Sequence, residues 1–220
     1  MKVVLFAKER PGLNNAIAFL KIITSELIIY KGKVGDSFPE ESIYYKPDLT
    51  ISYISPWILP IDLLKATRKW AINFHPGPPE YPGIGCTNFA IYEEAYEFGV
   101  TAHVMEEKVD SGRIINVKRF PIQKRDTVYS LTQRCYDYIL VQFYEVLNYI
   151  FKNNSLPKCN ENWGRKPFTR RQFNNLCRIT NDMTNEEIKR RIRAVTYPGM
   201  PGAYIEIFGE IFEYKNRVKK

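Results

Sequence analysis

Lys69-Trp70-Ala71-Ile72-Asn73-Phe74-His75-Pro76-Gly77-Pro78-Pro79 is the stretch from which the rest of the chain is read. Residues 69–74 are mostly apolar and read as a buried strand, and the Pro and Gly residues after His75 cannot continue a hydrogen-bonded ladder. Asn73 and His75 stand two apart, so an extended backbone turns both to one side. An amide and an imidazole thus leave the end of a strand together, where open α/β sheets hold their ligands. Downstream, Thr101-Ala102-His103 and Val109-Asp110-Ser111-Gly112 supply a second imidazole and a carboxylate. The chain has two histidines, and both belong to this constellation.

The residue types fit acyl transfer. A side-chain amide can donate to a developing oxyanion, and a neutral imidazole can take a proton from an attacking nucleophile near neutral pH. Asp110, folded back to the same edge, can orient the imidazole or govern a proton on the leaving group. No serine or cysteine nucleophile is evidently attached to this equipment. His103 lies inside a strand-like run and is expected to be a buried hydrogen-bonding residue.

Working outward, strand-like runs occur at 2–7, 27–30, 49–53, 70–74, 101–106 and 113–121, and helix-like runs at 14–23, 61–68 and 87–97. The alternation predicts an α/β fold with an open, mostly parallel sheet flanked by helices. No Gly-x-Gly-x-x-Gly follows the first strand, so a dinucleotide cofactor is not supported. A longer helix is predicted after Asp126, where an Asp-Thr pair can cap its start. Val128, Leu131, Cys135, Ile139, Val146 and Ile150 then recur near helical spacing up to Lys152-Asn153-Asn154. Tyr136, Tyr138, Phe143, Tyr144 and Tyr149 beside them read as packing or dimer-interface residues, and a homodimer is the weaker implication.

From Leu156 the pattern changes. Trp163-Gly164-Arg165-Lys166-Pro167-Phe168-Thr169-Arg170-Arg171 mixes turn formers with basic and aromatic residues, and Thr184-Asn185-Glu186-Glu187 opens a helix as a capping box. A hairpin-like pair at 204–208 and 211–214, joined at Gly209-Glu210, follows. The expected organisation is a domain over residues 1–155 and a small α+β C-terminal subdomain over 156–220.

Residues 1–150 carry 17 basic and 17 acidic side chains and residues 151–220 carry 15 and 7, so the net charge of +8 arises wholly in the second group. Such a region fits an anionic partner, a nucleotide diphosphate or a nucleic acid, and equally a solvated helix face. Cys86, Cys135, Cys159 and Cys177 show no Cys-x-x-Cys spacing, so neither a metal site nor a disulfide framework is expected. No apolar run approaches the ~18 residues of a membrane span, and the N-terminal residues read as a strand rather than a signal peptide. A cytoplasmic protein without membrane contact is expected.

The run 73–85, with Gly99-Val100-Thr101-Ala102-His103-Val104-Met105 and Val109-Asp110-Ser111-Gly112-Arg113-Ile114-Ile115, resembles the catalytic core of the folate-dependent formyltransferases over about residues 45–125. The resemblance implies a Rossmann-like formyltransferase fold and 10-formyltetrahydrofolate as co-substrate. It implies that Asn73 donates to the tetrahedral oxyanion, that His75 accepts a proton from the attacking amine, and that Asp110 fixes His75 and assists proton delivery toward the folate nitrogen. Residues 46–53 and 55–60 resemble the strand and loop of the family's pterin pocket. This implies folate contacts at Ser52, Ile54, Ser55, Trp57, Glu106, Glu107 and Val109.

Within that family, the Pro/Gly-rich loop 78–85 and the sequence 191–203 resemble the sugar N-formyltransferases. The implied acceptor is a nucleotide-linked amino sugar, such as dTDP-4-amino-4,6-dideoxyglucose or a dTDP-3-amino-3,6-dideoxyhexose. Lys8, Arg10 and Arg165 are candidates for its phosphates, Tyr81 and Gly83 for its hexose, and Trp163 and Tyr197 for stacking on its base. Methionyl-tRNA formyltransferase is the alternative, although residues 156–220 are far shorter than the β-barrel domain of that enzyme, which makes a nucleic-acid partner unexpected. A formyltetrahydrofolate hydrolase or non-catalytic folate-binding protein is the third reading.

Overall fold

The computed structural model describes residues 1–215; the last five residues of the expected C-terminal subdomain lie outside the described residues. The first strand, β1 (Lys2–Lys8), sits inside the sheet because its run Val3-Val4-Leu5-Phe6-Ala7 is apolar on both faces and wholly buried. Alternate side chains serve two cores. Val3, Leu5 and Ala7 pack with α1 (Leu13–Ile23) and α4 (Val128–Asn153), while Val4 and Phe6 pack with Leu63 of α2 (Ile61–Ala66) and with Trp57.

The other strands are β2 (Glu26–Gly32), β3 (Leu49–Tyr53), β4 (Trp70–His75), β5 (Glu97–Val104) and β6 (Ile114–Pro121), in spatial order β2-β1-β3-β4-β5-β6. The first four strands run parallel, and β5 and β6 are antiparallel to their neighbours. The predicted α/β sheet is therefore present, with its reversal at the β4–β5 junction.

Two boundaries differ from expectation. The helix predicted over 87–97 is α3 (Cys86–Tyr92), because Glu94 adopts a left-handed φ of 54° and the chain turns away. Glu97 then opens β5 opposite Pro121, four residues before the predicted start at 101. Ladder pairing overrides the helical preference of Glu93-Glu94-Ala95.

α4 begins at a Thr127 capping box closed by Ser130. Its fully buried Gln142 donates through Nε2 to the Val100 and Asn116 carbonyls and to Asn116 Oδ1, tying the helix to β5 and β6. Phe143 of this helix is core, whereas Tyr149 is exposed.

The C-terminal region contains α5 (Arg170–Cys177), β7 (Arg178–Ile179), α6 (Asn185–Val195), β8 (Tyr204–Ile207) and β9 (Glu210–Glu213), with the last two strands joined at Phe208-Gly209. β7, β8 and β9 form a second sheet. Arg191 Nε and Tyr92 Oη both donate to Glu187 Oε1, at 2.6 and 2.8 Å, fastening α6 to α3. No helix among the described residues is long and apolar enough to cross a membrane.

Candidate active site

The sheet reversal brings the chemistry together. In the antiparallel β4–β5 ladder Asn73 lies directly opposite His103, so their side chains share a face. A register shift between Ala102 and His103 on the β6 side re-aims that end of β5. Asn73 Nδ2 and His103 Nε2 are 3.0 Å apart. His103 Nδ1 donates to the Val104 carbonyl at 2.8 Å, and Nε2 stands between the Asn73 amide and the Asp110 carboxylate.

Asp110 lies at the centre of the group. Its left-handed φ of 45° turns the 105–113 loop back onto the sheet edge. Oδ2 lies 3.2 Å from His75 Nδ1 and accepts the Gly83 N–H at 2.7 Å, while Oδ1 lies 3.2 Å from His103 Nε2. Burial opposes ionisation, but the charge of His75, the hydrogen bond and charge of His103 and the Gly83 N–H together hold the carboxyl well below the usual carboxylate range. The group is an acceptor shared by three chain segments.

His75 also meets an oxygen on its other side, with Nε2 3.1 Å from the Tyr81 carbonyl. Both ring nitrogens face acceptors, an arrangement that fully satisfies an imidazolium, with one N–H for Asp110 and one for Tyr81. Cys86 stands nearby, but burial pushes its thiol up to about 12, which rules it out as a ready nucleophile.

The 76–85 loop is held in place by the C-terminal region. Ile84 N–H donates to the Phe168 carbonyl, Phe168 N–H to Pro82, and Gly164 N–H to Pro79. Gly83 must be glycine here: its φ is 86°, and a Cβ would lie 2.5 Å from the Phe168 oxygen. Trp163 donates its indole N–H to the Gly112 carbonyl at 2.8 Å, and its ring stands edge-on to His103 and His75 at 5.0 and 6.0 Å between centroids. The sequence gives no signal for this strap, because its contacts join segments some 80 residues apart.

A cavity of about 280 Å³ opens beside Asn73, His75 and Asp110. Of the expected folate contacts, Ser52, Ile54, Ser55, Trp57, Glu106 and Val109 line it and Glu107 does not; Leu64 and Met105 are lining residues outside the loops that the sequence reading singled out. Ile54 adopts a φ of 52°, a costly conformation for a β-branched residue, and marks the sharp turn of the loop over the cavity. Apolar walls with polar groups at one end suit a flat heteroaromatic ring. Among the described residues no group of three or more His, Cys, Asp or Glu side chains is arranged to hold a metal ion.

The expected acceptor contacts are spread more widely. Tyr81 offers its carbonyl to His75, and its ring is buried near Phe98 and Phe168. Arg165 is paired with Glu93 at 2.8 Å and lies over the Tyr81 and Phe168 rings. Trp163 is against the two histidines, and Lys8 ends β1 with its ammonium disfavoured by partial burial and by Arg10. Arg10 and Tyr197 line one further cavity together.

The chain is 27% identical to GDP-perosamine N-formyltransferase of Brucella melitensis over 179 residues, covering 81% of this chain and 68% of the relative. A sugar N-formyltransferase from a Shewanella species superposes with a TM-score of 0.79 at 19% identity, covering 98% of this chain and 97% of that one. The N-formyltransferase from Helicobacter canadensis, solved in complex with folinic acid and dTDP-3-aminofucose, superposes with a TM-score of 0.71 at 23% identity, covering 88% and 80%. The family described as formyl transferase matches residues 33–146, a span holding Asn73, His75, His103 and Asp110, and the chain belongs to that family.

Proposed function

We propose that the protein is an N-formyltransferase that carries the formyl group of 10-formyltetrahydrofolate to the amine of a nucleotide-linked amino sugar. The observation that carries this reading is the Asn73–His75–Asp110 group on the rim of a mainly apolar cavity. The relatives that act on or bind nucleotide-linked amino sugars support the acceptor class.

The donor supplies an activated one-carbon carbonyl; Ile54, Trp57, Met105 and Val109 would hold its pterin and Ser52 and Ser55 would meet its polar edge. Asn73 turns its amide toward the reacting centre and donates to the oxygen on which negative charge develops. His75 takes the proton from the acceptor amine at Nε2, where the Tyr81 carbonyl then receives the new N–H. Asp110 holds the opposite nitrogen and stabilises the imidazolium so formed, whose proton would pass to the folate nitrogen as the bond from that nitrogen to the formyl carbon breaks and tetrahydrofolate leaves. His103 braces Asn73 and Asp110 from the neighbouring strand, and Trp163 keeps water from the back of the two imidazoles.

The test is a coupled assay with 10-formyltetrahydrofolate and a panel of dTDP-, UDP- and GDP-linked amino sugars, with methionyl-tRNA and a no-acceptor control, and His75→Asn as the blank. Formylation of one nucleotide sugar is expected. Turnover only on tRNA, or equal folate breakdown without acceptor, would overturn the reading.

A further inference from the structure

The loop 76–85, which carries the Tyr81 carbonyl to His75, holds a single charged residue, Glu80. Its partner is Arg119 of β6, which forks onto it: Nη1 donates to Oε2 at 3.2 Å and Nη2 to Oε1 at 2.9 Å. The same guanidinium reaches Glu97 at the start of β5, at 3.4 Å, and Glu161 in the chain before Trp163. Three carboxylates from three segments thus converge on one cation. A planar, bidentate grip fixes direction as well as distance, which a point charge does not.

The sheet decides where this grip acts. Arg119 lies opposite Gly99 in the β5–β6 ladder. Side chains alternate along a strand, so positions 99, 101 and 103 belong to one face of β5, and Thr101 and His103 lie opposite His75 and Asn73 of β4. Arg119 therefore rises from the face that carries the reaction centre. The loop is held there at successive points: Thr101 Oγ1 donates to the Gly77 carbonyl at 2.8 Å, Arg119 grips Glu80, and Asp110 receives the Gly83 N–H. Of these three, Arg119 is the one that also grips the strap.

Both of its longer arms end next to a neighbour of His75. Glu80 immediately precedes Tyr81, whose carbonyl lies 3.1 Å from His75 Nε2. Glu161 shortly precedes Trp163, whose ring stands edge-on to His75 at 6.0 Å. Stability is a poor reason for such a cluster, because partly exposed ion pairs contribute little and one cation leaves two of the three acids in excess. Arg165 nearby is taken up by Glu93.

We propose that Arg119 is a positioning residue for the proton transfer at His75: it sets the Tyr81 carbonyl opposite Nε2 through Glu80 and seats Trp163 against the imidazoles through Glu161. The kinetic side of this inference rests on the formyl transfer of the preceding subsection; the placement of the imidazole does not. Neither Arg119 nor Glu80 lines the cavity beside Asn73, so the effect falls on the chemical step and leaves donor binding alone.

Steady-state assays and the ¹⁵N spectrum of the imidazoles in Arg119→Gln, Arg119→Lys, Glu80→Gln and Lys118→Gln test this. The chain has two histidines, so the spectrum holds two rings, and His75→Asn tells them apart. Arg119→Gln is expected to lower kcat by about ten- to hundredfold, the cost of a misplacement on the order of 1 Å, with the KM for the donor unchanged and the His75 signals shifted. Arg119→Lys, which returns the charge without the fork, should recover part of the rate. Glu80→Gln should lower kcat by less, and the double variant with Arg119→Gln should be no slower than Arg119→Gln alone. Lys118→Gln removes a pair with Glu145, 2.7 Å long, on the opposite face of β6, and should change neither turnover nor spectrum. An Arg119→Gln protein with a lowered Tm but wild-type kcat and wild-type His75 signals would reduce the cluster to a structural clasp and overturn the inference. If that variant does not fold, Glu80→Gln decides by the same two readouts. Wild-type protein that formylates no nucleotide sugar would overturn the proposed function, and the imidazole spectrum would still decide the role of Arg119.

Discussion

Two cavities of the molecule, one at the end of β4 and one lined by Arg10 and Arg170, are built in opposite ways. Around Asp110, His75, His103 and Gly83 nearly every polar atom meets a protein partner, and all four residues fall within 36 positions of the chain. Around Arg10 and Arg170 the cations face no acid, and the two residues stand 160 positions apart. A centre that performs chemistry is arranged in advance, because reorganisation at the moment of reaction is costly.

The comparison is broken most severely by Asp110→Asn. Asparagine tolerates the left-handed backbone at this position, so the chain should fold, while turnover falls by about 10²- to 10⁴-fold, the span of positioned acid–base groups. Steady-state assays with circular dichroism of the same sample check both halves. The pH dependence has a defined sign. The folded carboxyl lies below its unfolded value of 3.8, so the stability it contributes is present above pH 3.8 and is lost as pH falls through the folded value. The wild-type advantage in Tm should therefore shrink only in strong acid; a constant gap across melts from pH 7 to pH 2 would remove this account of Asp110.

Asn73→Ala comes next. Removal of one oxyanion donor costs about 10²- to 10³-fold in rate, and the KM for each substrate should change little. A variant that lost substrate affinity instead would shift Asn73 from the chemical step to binding.

Gly83→Ala strikes the strap between the loop and the C-terminal region. The added Cβ meets the Phe168 backbone while φ is 86°, so destabilisation of about 1–3 kcal/mol is expected, as for other strained backbone positions. The Gly83 N–H also leaves Asp110, so turnover should fall with Tm, in a thermal melt and an assay run together. The smallest effect belongs to Glu187→Gln, which lines neither cavity. Its partly exposed pairs with Arg190 and Arg191 are worth within about 1 kcal/mol, and kcat should be unchanged.

The same contrast explains how much could be read from the chain. Asn73 and His75 are legible because a two-residue spacing fixes their common face, and β1 is legible because its five-residue apolar core has one reading. Asp110 is legible through its local context alone; nothing in the spacing announces the φ of 45° that folds it back. Trp163 shows the limit. Its indole N–H meets the Gly112 carbonyl and its ring stands against the edges of two imidazoles, contacts set by long-range packing that no local pattern announces. Helix α5 was hidden by Gly164 and Pro167 just before it, although Thr169 and Gln172 form a capping box that could have been seen. Arg10 and Arg170 could be named as cations, but no local pattern tells that they share a cavity.

The pairing of Asn73 with His103 across the β4–β5 ladder has a consequence for motion. Because side-chain direction alternates along a strand, a slip of one residue would turn His103 to the opposite face and dismantle the centre. The centre therefore has no private hinge: loosening it means unzipping the ladder that holds the sheet. Backbone amides bonded within that ladder should exchange with solvent through the slowest, most global openings of the molecule, while the amides of the 105–113 loop exchange through faster local ones. The clock of the chemistry's framework is thus the clock of unfolding, and only the loops that admit ligands keep a quicker time.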